Sequence, residues 1–254
     1  MSENAPPTPL DDVLAEGGRL VKTADAAGIR LRLLGGAAFG LHIHQPIPDR
    51  LRRTYGDLDV AVGSKQAQAL GKLLPTLGYK PDERFNALHG EKRFLFRDLS
   101  HERKLDVFIG SFSMCHKMDL EGRLPERGLT LAAADLLLTK LQIVELNEKD
   151  TIDVLVLLAG HDLVPGGGDD VIDLDRISAM CGNDWGWWAT VGDNLPRLGS
   201  AAPRLLEPAD SDVVGQRCVV IRGAIEETSK SRAWRLRAMI GRRMEWYMLP
   251  EEVG

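Results

Sequence analysis

The fold is first visible in Gly56-Asp57-Leu58-Asp59-Val60-Ala61-Val62. Side chains alternate across a β-strand, so Asp57 and Asp59 project to one side, and Leu58, Val60 and Val62 to the other. The pattern predicts a short strand over 58–62 with one apolar face and one carboxylate face. Two carboxylates side by side repel each other unless a cation neutralises them. Oxygen-only donors favour a hard ion such as magnesium. A polar strand face at a sheet edge accounts for the same pattern.

Upstream, residues 29–34 read as a strand that ends at Gly35-Gly36, and 37–43 read as a helix broken by Pro46 and Pro48. Paired glycines let a backbone come close to a ligand, and a helix start offers free N–H groups to a phosphate. A plain turn needs nothing more than the same two glycines. Downstream, 64–77 read as a helix closed by Gly78. Segments 93–97 and 104–109 read as strands of a hairpin around the polar run 98–103. The second of these, Lys104-Leu105-Asp106-Val107-Phe108-Ile109, places one carboxylate in an otherwise apolar strand. Burying it alone costs several kcal/mol, on the order of an unpaired charge. A metal ion or an arginine such as Arg93 or Arg97 is the expected partner.

Gly-Gly, then Asp-x-Asp on a strand, then a single Asp on a separate strand resembles the nucleotidyltransferase superfamily, of DNA polymerase β-like fold. The resemblance implies an α/β (α+β) core, a small mixed sheet flanked by helices, followed by a helical C-terminal region. It implies that Gly35 and Gly36 cradle the phosphates of an NTP. It also implies that Asp57, Asp59 and Asp106 hold two Mg2+ ions, with Asp106 helping to deprotonate the acceptor. The segment Lys140-Leu141-Gln142-Ile143-Val144-Glu145-Leu146-Asn147-Glu148-Lys149-Asp150-Thr151-Ile152-Asp153 looks like the Lys then Lys-Asp-x-x-Asp motif of the AbiEii-type abortive-infection toxins. Arg53-Thr54-Tyr55-Gly56-Asp57 is similar to the stretch preceding their acids. In that family the lysine meets the triphosphate, so Lys140, with Asp150 and Asp153 beside it, is assigned to nucleotide binding. By helical spacing Asp150 and Asp153 share a face. Lys140 lies in an apolar run and needs an anionic partner or an outlet to water, and Asp150 could instead cap its helix. The acceptor implied is a tRNA 3′ end or a protein side chain, in a toxin–antitoxin or phage-defence setting with an antitoxin partner. A non-catalytic nucleotide-binding or interaction module on the same fold is the competing expectation. The chain departs from the family in having Gly-Gly where many members have Gly-Ser, and in a longer stretch between Gly36 and Asp57.

The 254 residues carry a net charge of −5, which argues against coating nucleic acid by bulk charge. Three widely spaced cysteines, with no Cys/His ligand spacing, fit a reducing compartment. No apolar run is long enough to span a bilayer and no signal-peptide pattern is present, so a cytoplasmic protein without a membrane partner is expected. A first helix is expected from Asp11 or Asp12 to about Ala27, and helices over 130–146 and 150–159. Pro165-Gly166-Gly167-Gly168 is the clearest linker signal, ahead of a helical rear half with a long final segment over 213–248. The expected parts are a core over 1–112, a helical segment completing the cleft over 113–164, and a helical domain over 165–254. His42 and His44 are two apart and do not share a helix face. Six basic residues over 230–243, with Trp234 and Trp246 nearby, read as a solvated helix face or an RNA-gripping patch. Trp185, Trp187 and Trp188 read as core between helices.

Overall fold

The structure is a computed structural model that describes residues 8–43, 47–48 and 51–249. The chain divides into two compact units. The first comprises Met1–Leu41, Arg53–Phe112 and Met118–Leu131; the second comprises His42–Arg52, Ser113–Lys117 and Ala132–Gly254.

The first unit is built on a five-stranded mixed sheet. Its strands are β1 (Leu31–Leu34), β2 (Leu58–Val62), β3 (Tyr79–Pro81), β4 (Arg93–Asp98) and β5 (Arg103–Ile109), in the order β1-β2-β5-β4-β3. Only β2 and β5 run parallel; the other pairs are antiparallel. Parallel neighbours need a crossover connection, and here it is supplied by α3 (Ala67–Leu73), β3 and α4 (Glu83–His89). The remaining helices of the unit are α1 (Val13–Ala26) and α2 (Gly35–Leu41). Asp12 caps α1 by accepting from the Ala15 N–H. Gly17 lets α1 settle on the sheet, since a Cβ there would stand 2.9 Å from a Leu33 methyl. The apolar side chains Leu58, Val60 and Val62 are buried, as the alternation predicts.

The second unit is mostly helical: α5 (Ala133–Leu141), α6 (Glu148–Gly160), α7 (Leu174–Asn183), α8 (Trp185–Leu205), α9 (Pro208–Glu227) and α10 (Arg232–Ile240). The architecture is the expected α/β class, a small mixed sheet with helices followed by a helical C-terminal region. The segment expected as one helix over 130–146 stops at Leu141, because its last carbonyls are satisfied from elsewhere. Asn194 of α8 donates to the carbonyls of Leu141 and Ile143, and Arg197 to that of Val144. The final helix is likewise two, α9 and α10, divided at 228–231, where Lys230 donates to the carbonyls of Ile225 and Thr228 and Ser231 caps α10. Pro165–Gly168 lies between two short paired strands, Leu163–Val164 and Ile172–Asp173. Trp185 and Trp187 are core, as expected, and all three cysteines are free and buried. Among the described residues no helix is long and apolar enough to cross a membrane.

Candidate active site

The parallel pairing of β2 and β5 decides which carboxylates meet. Its register sets Asp59 directly beside Asp106, so the two side chains share a face of the sheet on adjacent strands. Neighbouring strands lie about 5 Å apart. Asp59 is also opposite Leu34, the last residue of β1, so the chain enters α2 across its carboxylate. Gly35 makes that passage. Its φ is +67°, in the left-handed region where a side chain is strained, and a Cβ there would lie 2.0 Å from Asp59 Oδ2. Gly36 and Gly40 serve a different contact: Tyr55 packs on this side of α2, and a Cβ at Gly40 would lie 2.7 Å from its ring. The Arg53 guanidinium stands over the same ring, 5.6 Å from its centroid.

Asp57 precedes β2 and is exposed. Its Oδ1 accepts the Lys104 N–H at 3.2 Å, tying it to the start of β5. Asp106 is paired with Arg93 from β4, whose Nε and Nη2 stand 2.9 and 2.8 Å from Oδ1. Both donors meet the same oxygen, and no described residue bonds Oδ2. Arg93 in turn lies 5.0 Å from the Phe108 ring centroid and 5.8 Å from that of Phe85, so its guanidinium is stacked as well as paired. Of the two arginines expected as partners for Asp106, Arg93 is the one that reaches it. Among the described residues, no three His, Cys, Asp or Glu side chains converge closely enough to hold a metal ion. The structure thus groups Gly35, Asp59, Asp106 and Arg93 in a row across the sheet, with Asp57 at its edge.

In the second unit Lys140, in the last turn of α5, is 2.5 Å from Asp150 Oδ1 and 3.2 Å from Asp153 Oδ2. All three side chains are largely buried. The lysine has therefore found an anionic pair, and the two acids are consecutive on one face of α6, as their spacing predicts. The cap of α6 is Asn147, whose Oδ1 accepts the Asp150 N–H; Asp150 is free of that duty and turns its carboxylate to Lys140. One further pair in α5 has no local sequence signal. Asp135 is fully buried and accepts from Arg176 Nε at 2.8 Å, a contact between residues 41 positions apart.

His42 leaves α2 and meets His161, which follows α6, with Nδ1 and Nε2 2.9 Å apart. Both rings are buried. His161 Nδ1 faces the Leu157 carbonyl at 3.2 Å, so it carries the proton there and its Nε2 accepts from His42. His44 and Pro46, named with His42 from the sequence, lie outside the described residues.

The chain matches no protein-family model and no curated protein. Among solved structures it is similar to the lincosamide antibiotic adenylyltransferase LnuA in its lincomycin-bound form, at 15% identity and a TM-score of 0.42 over 59% of this chain and 97% of that one. An antigenic nucleotidyltransferase-like protein from Paracoccidioides brasiliensis matches at 14% identity and a TM-score of 0.44, over 89% of this chain and 98% of that one. JHP933 from Helicobacter pylori matches at 13% identity and a TM-score of 0.38, over 91% and 99%. Similarity of this depth identifies neither a family nor a reaction.

Proposed function

We propose that the chain is a nucleotidyltransferase, moving a nucleoside monophosphate from an NTP to an acceptor and releasing pyrophosphate. The observation that supports it is the in-register placement of Asp59 beside Asp106, with the bare backbone of Gly35 pressed against the Asp59 carboxylate. Two oxygen donors on adjacent strands suit a hard divalent cation such as Mg2+. Asp59 and Asp106 are its proposed ligands, with Asp57 as the third carboxylate. A cation held by these residues supplies Lewis-acid charge to the phosphoryl oxygens. Gly35 and Gly36 let the main chain come close to a triphosphate. Lys140 is the proposed phosphate-binding cation, and Asp150 with Asp153 keep it charged and oriented. Asp106 is also the proposed residue that helps to deprotonate the acceptor hydroxyl. Two ions rest on the resemblance carried by Asp57, Asp59 and Asp106; an RNA or protein acceptor and a toxin–antitoxin setting rest on the resemblance of the Lys140–Asp153 segment.

The test is label transfer. Each NTP, labelled on its α-phosphate, is incubated with the protein, Mg2+ and total RNA or protein. Asp59→Asn is expected to lower transfer by at least ~100-fold, the range lost when a group stabilising transition-state charge is removed. No transfer in any mixture, or equal transfer by the variant, overturns the catalytic reading.

The contact of Arg93 with Asp106 favours a second reading, a nucleotide-binding module without chemistry, because the guanidinium already neutralises the carboxylate a cation would need. Mg2+-dependent NTP binding with no turnover, unchanged in Asp106→Asn, is the outcome expected of such a module.

A further inference from the structure

Half of the large apolar side chains exposed among the described residues fall in one short stretch: Leu236, Met239, Ile240, Met244, Met248 and Leu249. On α10 the usual arrangement is reversed. Trp234 and Arg237 turn inward, while Leu236, Met239 and Ile240, spaced i, i+3, i+4, look outward, with Leu236 67% and Met239 79% exposed. Along α10 and the residues next to it in sequence, over 230–243, the charged side chains are all of one sign. Residues 230–243 hold six basic and no acidic side chains; taking those six from the net −5 leaves the rest of the chain at −11. Three of the six are already engaged: Lys230 and Arg237 donate to main-chain carbonyls, and Arg242 pairs with Asp193. Arg232, Arg235 and Arg243 are exposed and bond no described side chain.

The helix before it offers the complement. Asp212, Gln216, Val219, Val220, Glu226 and Glu227 fall on one stripe of α9 at helical spacing, and all are exposed. Val219 is 71% exposed. Glu226 is paired with Arg222, whereas Asp212 and Glu227 bond no described side chain. The stripe has an apolar middle and acidic ends, and the outward face of α10 has an apolar middle with basic neighbours.

We propose that the chain forms a two-fold homodimer in which the outward face of α10 from one protomer packs on the α9 stripe of its partner. Packing α10 on α10 would set arginine against arginine. A two-fold axis makes each contact occur twice, α10 on α9 and α9 on α10, which is how an isologous interface closes. Leu236, Met239 and Ile240 then bury against Val219 and Val220. Arg232 and Arg235, one turn apart at the start of α10, meet Glu226 and Glu227 at one acidic end of the stripe. A nucleic acid uses the arginines and leaves the six apolar side chains in water, so RNA accounts for half of the surface only.

The test is sedimentation equilibrium on the full chain and on two charge-reversed variants, Arg232→Glu with Arg235→Glu, and Glu226→Arg with Glu227→Arg. The wild type is expected to be dimeric at micromolar concentration. Each variant alone is expected to weaken the dimer at least ~10-fold, through like charges apposed across the interface. An equimolar mixture of the two variants is expected to recover a heterodimer. A monomeric wild type at up to about 100 μM overturns the proposal. So does a dimer that survives both reversals, or a mixture that stays monomeric. If either variant loses its helical circular dichroism, Met239→Asp, confined to the outward face, takes its place and is expected to give a folded monomer; a folded Met239→Asp dimer of wild-type affinity overturns the proposal.

Discussion

Replacing Gly35 by alanine should cost more than backbone strain alone, and the structure contains its own reference. Gly28 and Gly35 share a left-handed conformation, with φ of +73° and +67°. A side chain held there costs about 1–2 kcal/mol. A Cβ at Gly28 meets nothing within 4 Å, so Gly28→Ala should lose that strain and no more. A Cβ at Gly35 falls 2.0 Å from Asp59 Oδ2 and 2.8 Å from its Cγ, so the carboxylate must rotate away. Pushing a short side chain off its rotamer adds about 0.5–1.5 kcal/mol. Gly35→Ala should therefore lose about 1.5–3.5 kcal/mol in urea unfolding read by linear extrapolation. The excess over Gly28→Ala should shrink when both are measured in an Asp59→Ala background, where the clashing oxygen is gone. Equal losses for the two glycines, or an excess that persists without the carboxylate, would refute the close approach of Gly35 to Asp59.

Two further outcomes are expected from charged groups in the second unit. Lys140→Met leaves Asp150 and Asp153 facing each other, largely buried, without their cation, and should destabilise by about 3–5 kcal/mol in chemical denaturation; Asp150→Asn, which keeps Asp153 as partner, should cost clearly less. Burial pushes the His116 imidazole down from 6.5 to about 4, with Thr190 Oγ1 at 2.8 Å from its Nε2. The unfolded chain takes up this proton first as pH falls, so stability is full above about 6.5 and is lost between 6.5 and 4, by up to about 3 kcal/mol. Unfolding measured across that window should show the slope, and His116→Gln should flatten it.

The strands were legible because their side chains alternate. Leu58–Val62 was read from the sequence with its observed bounds, and the two strands of the β4–β5 hairpin to within a residue. Register was not legible. That Asp59 sits beside Asp106, while Asp57 turns to the Lys104 N–H, depends on the parallel pairing of strands separated by the 40 residues 63–102. The early stop of α5 was hidden for the same reason: its carbonyls are capped by Asn194 and Arg197, more than 50 residues away. Two further helix starts carry a local signal. Asp82 caps α4, accepting from Phe85, and Ser231 caps α10, accepting from Trp234; each side chain announces a helix start. The Lys140 pairing was the opposite case, since Lys140, Asp150 and Asp153 lie one helix turn or one short loop apart, and spacing alone brings them together.

Arg93 is the residue on which the two functional readings divide, through the way it holds Asp106. A guanidinium that met both carboxylate oxygens in a fork would use up the acceptor capacity of the group. Here both donors converge on Oδ1, so Asp106 keeps one oxygen for a further ligand while its charge is already compensated. Asp59 lies beside it in register, so Asp59 and Asp106 are the two residues that would hold a divalent ion. It would pay a repulsion from Arg93 that a site of carboxylates alone does not impose, of order 332/(ε·r) per unit charge. On the proposed reading, the row Gly35–Asp59–Asp106–Arg93 suits a ligand that brings its own negative charge together with the ion. A triphosphate does so, and its oxygens could take over the guanidinium as the cation takes over the carboxylate. A free divalent ion should therefore bind this row weakly and a metal–NTP complex tightly.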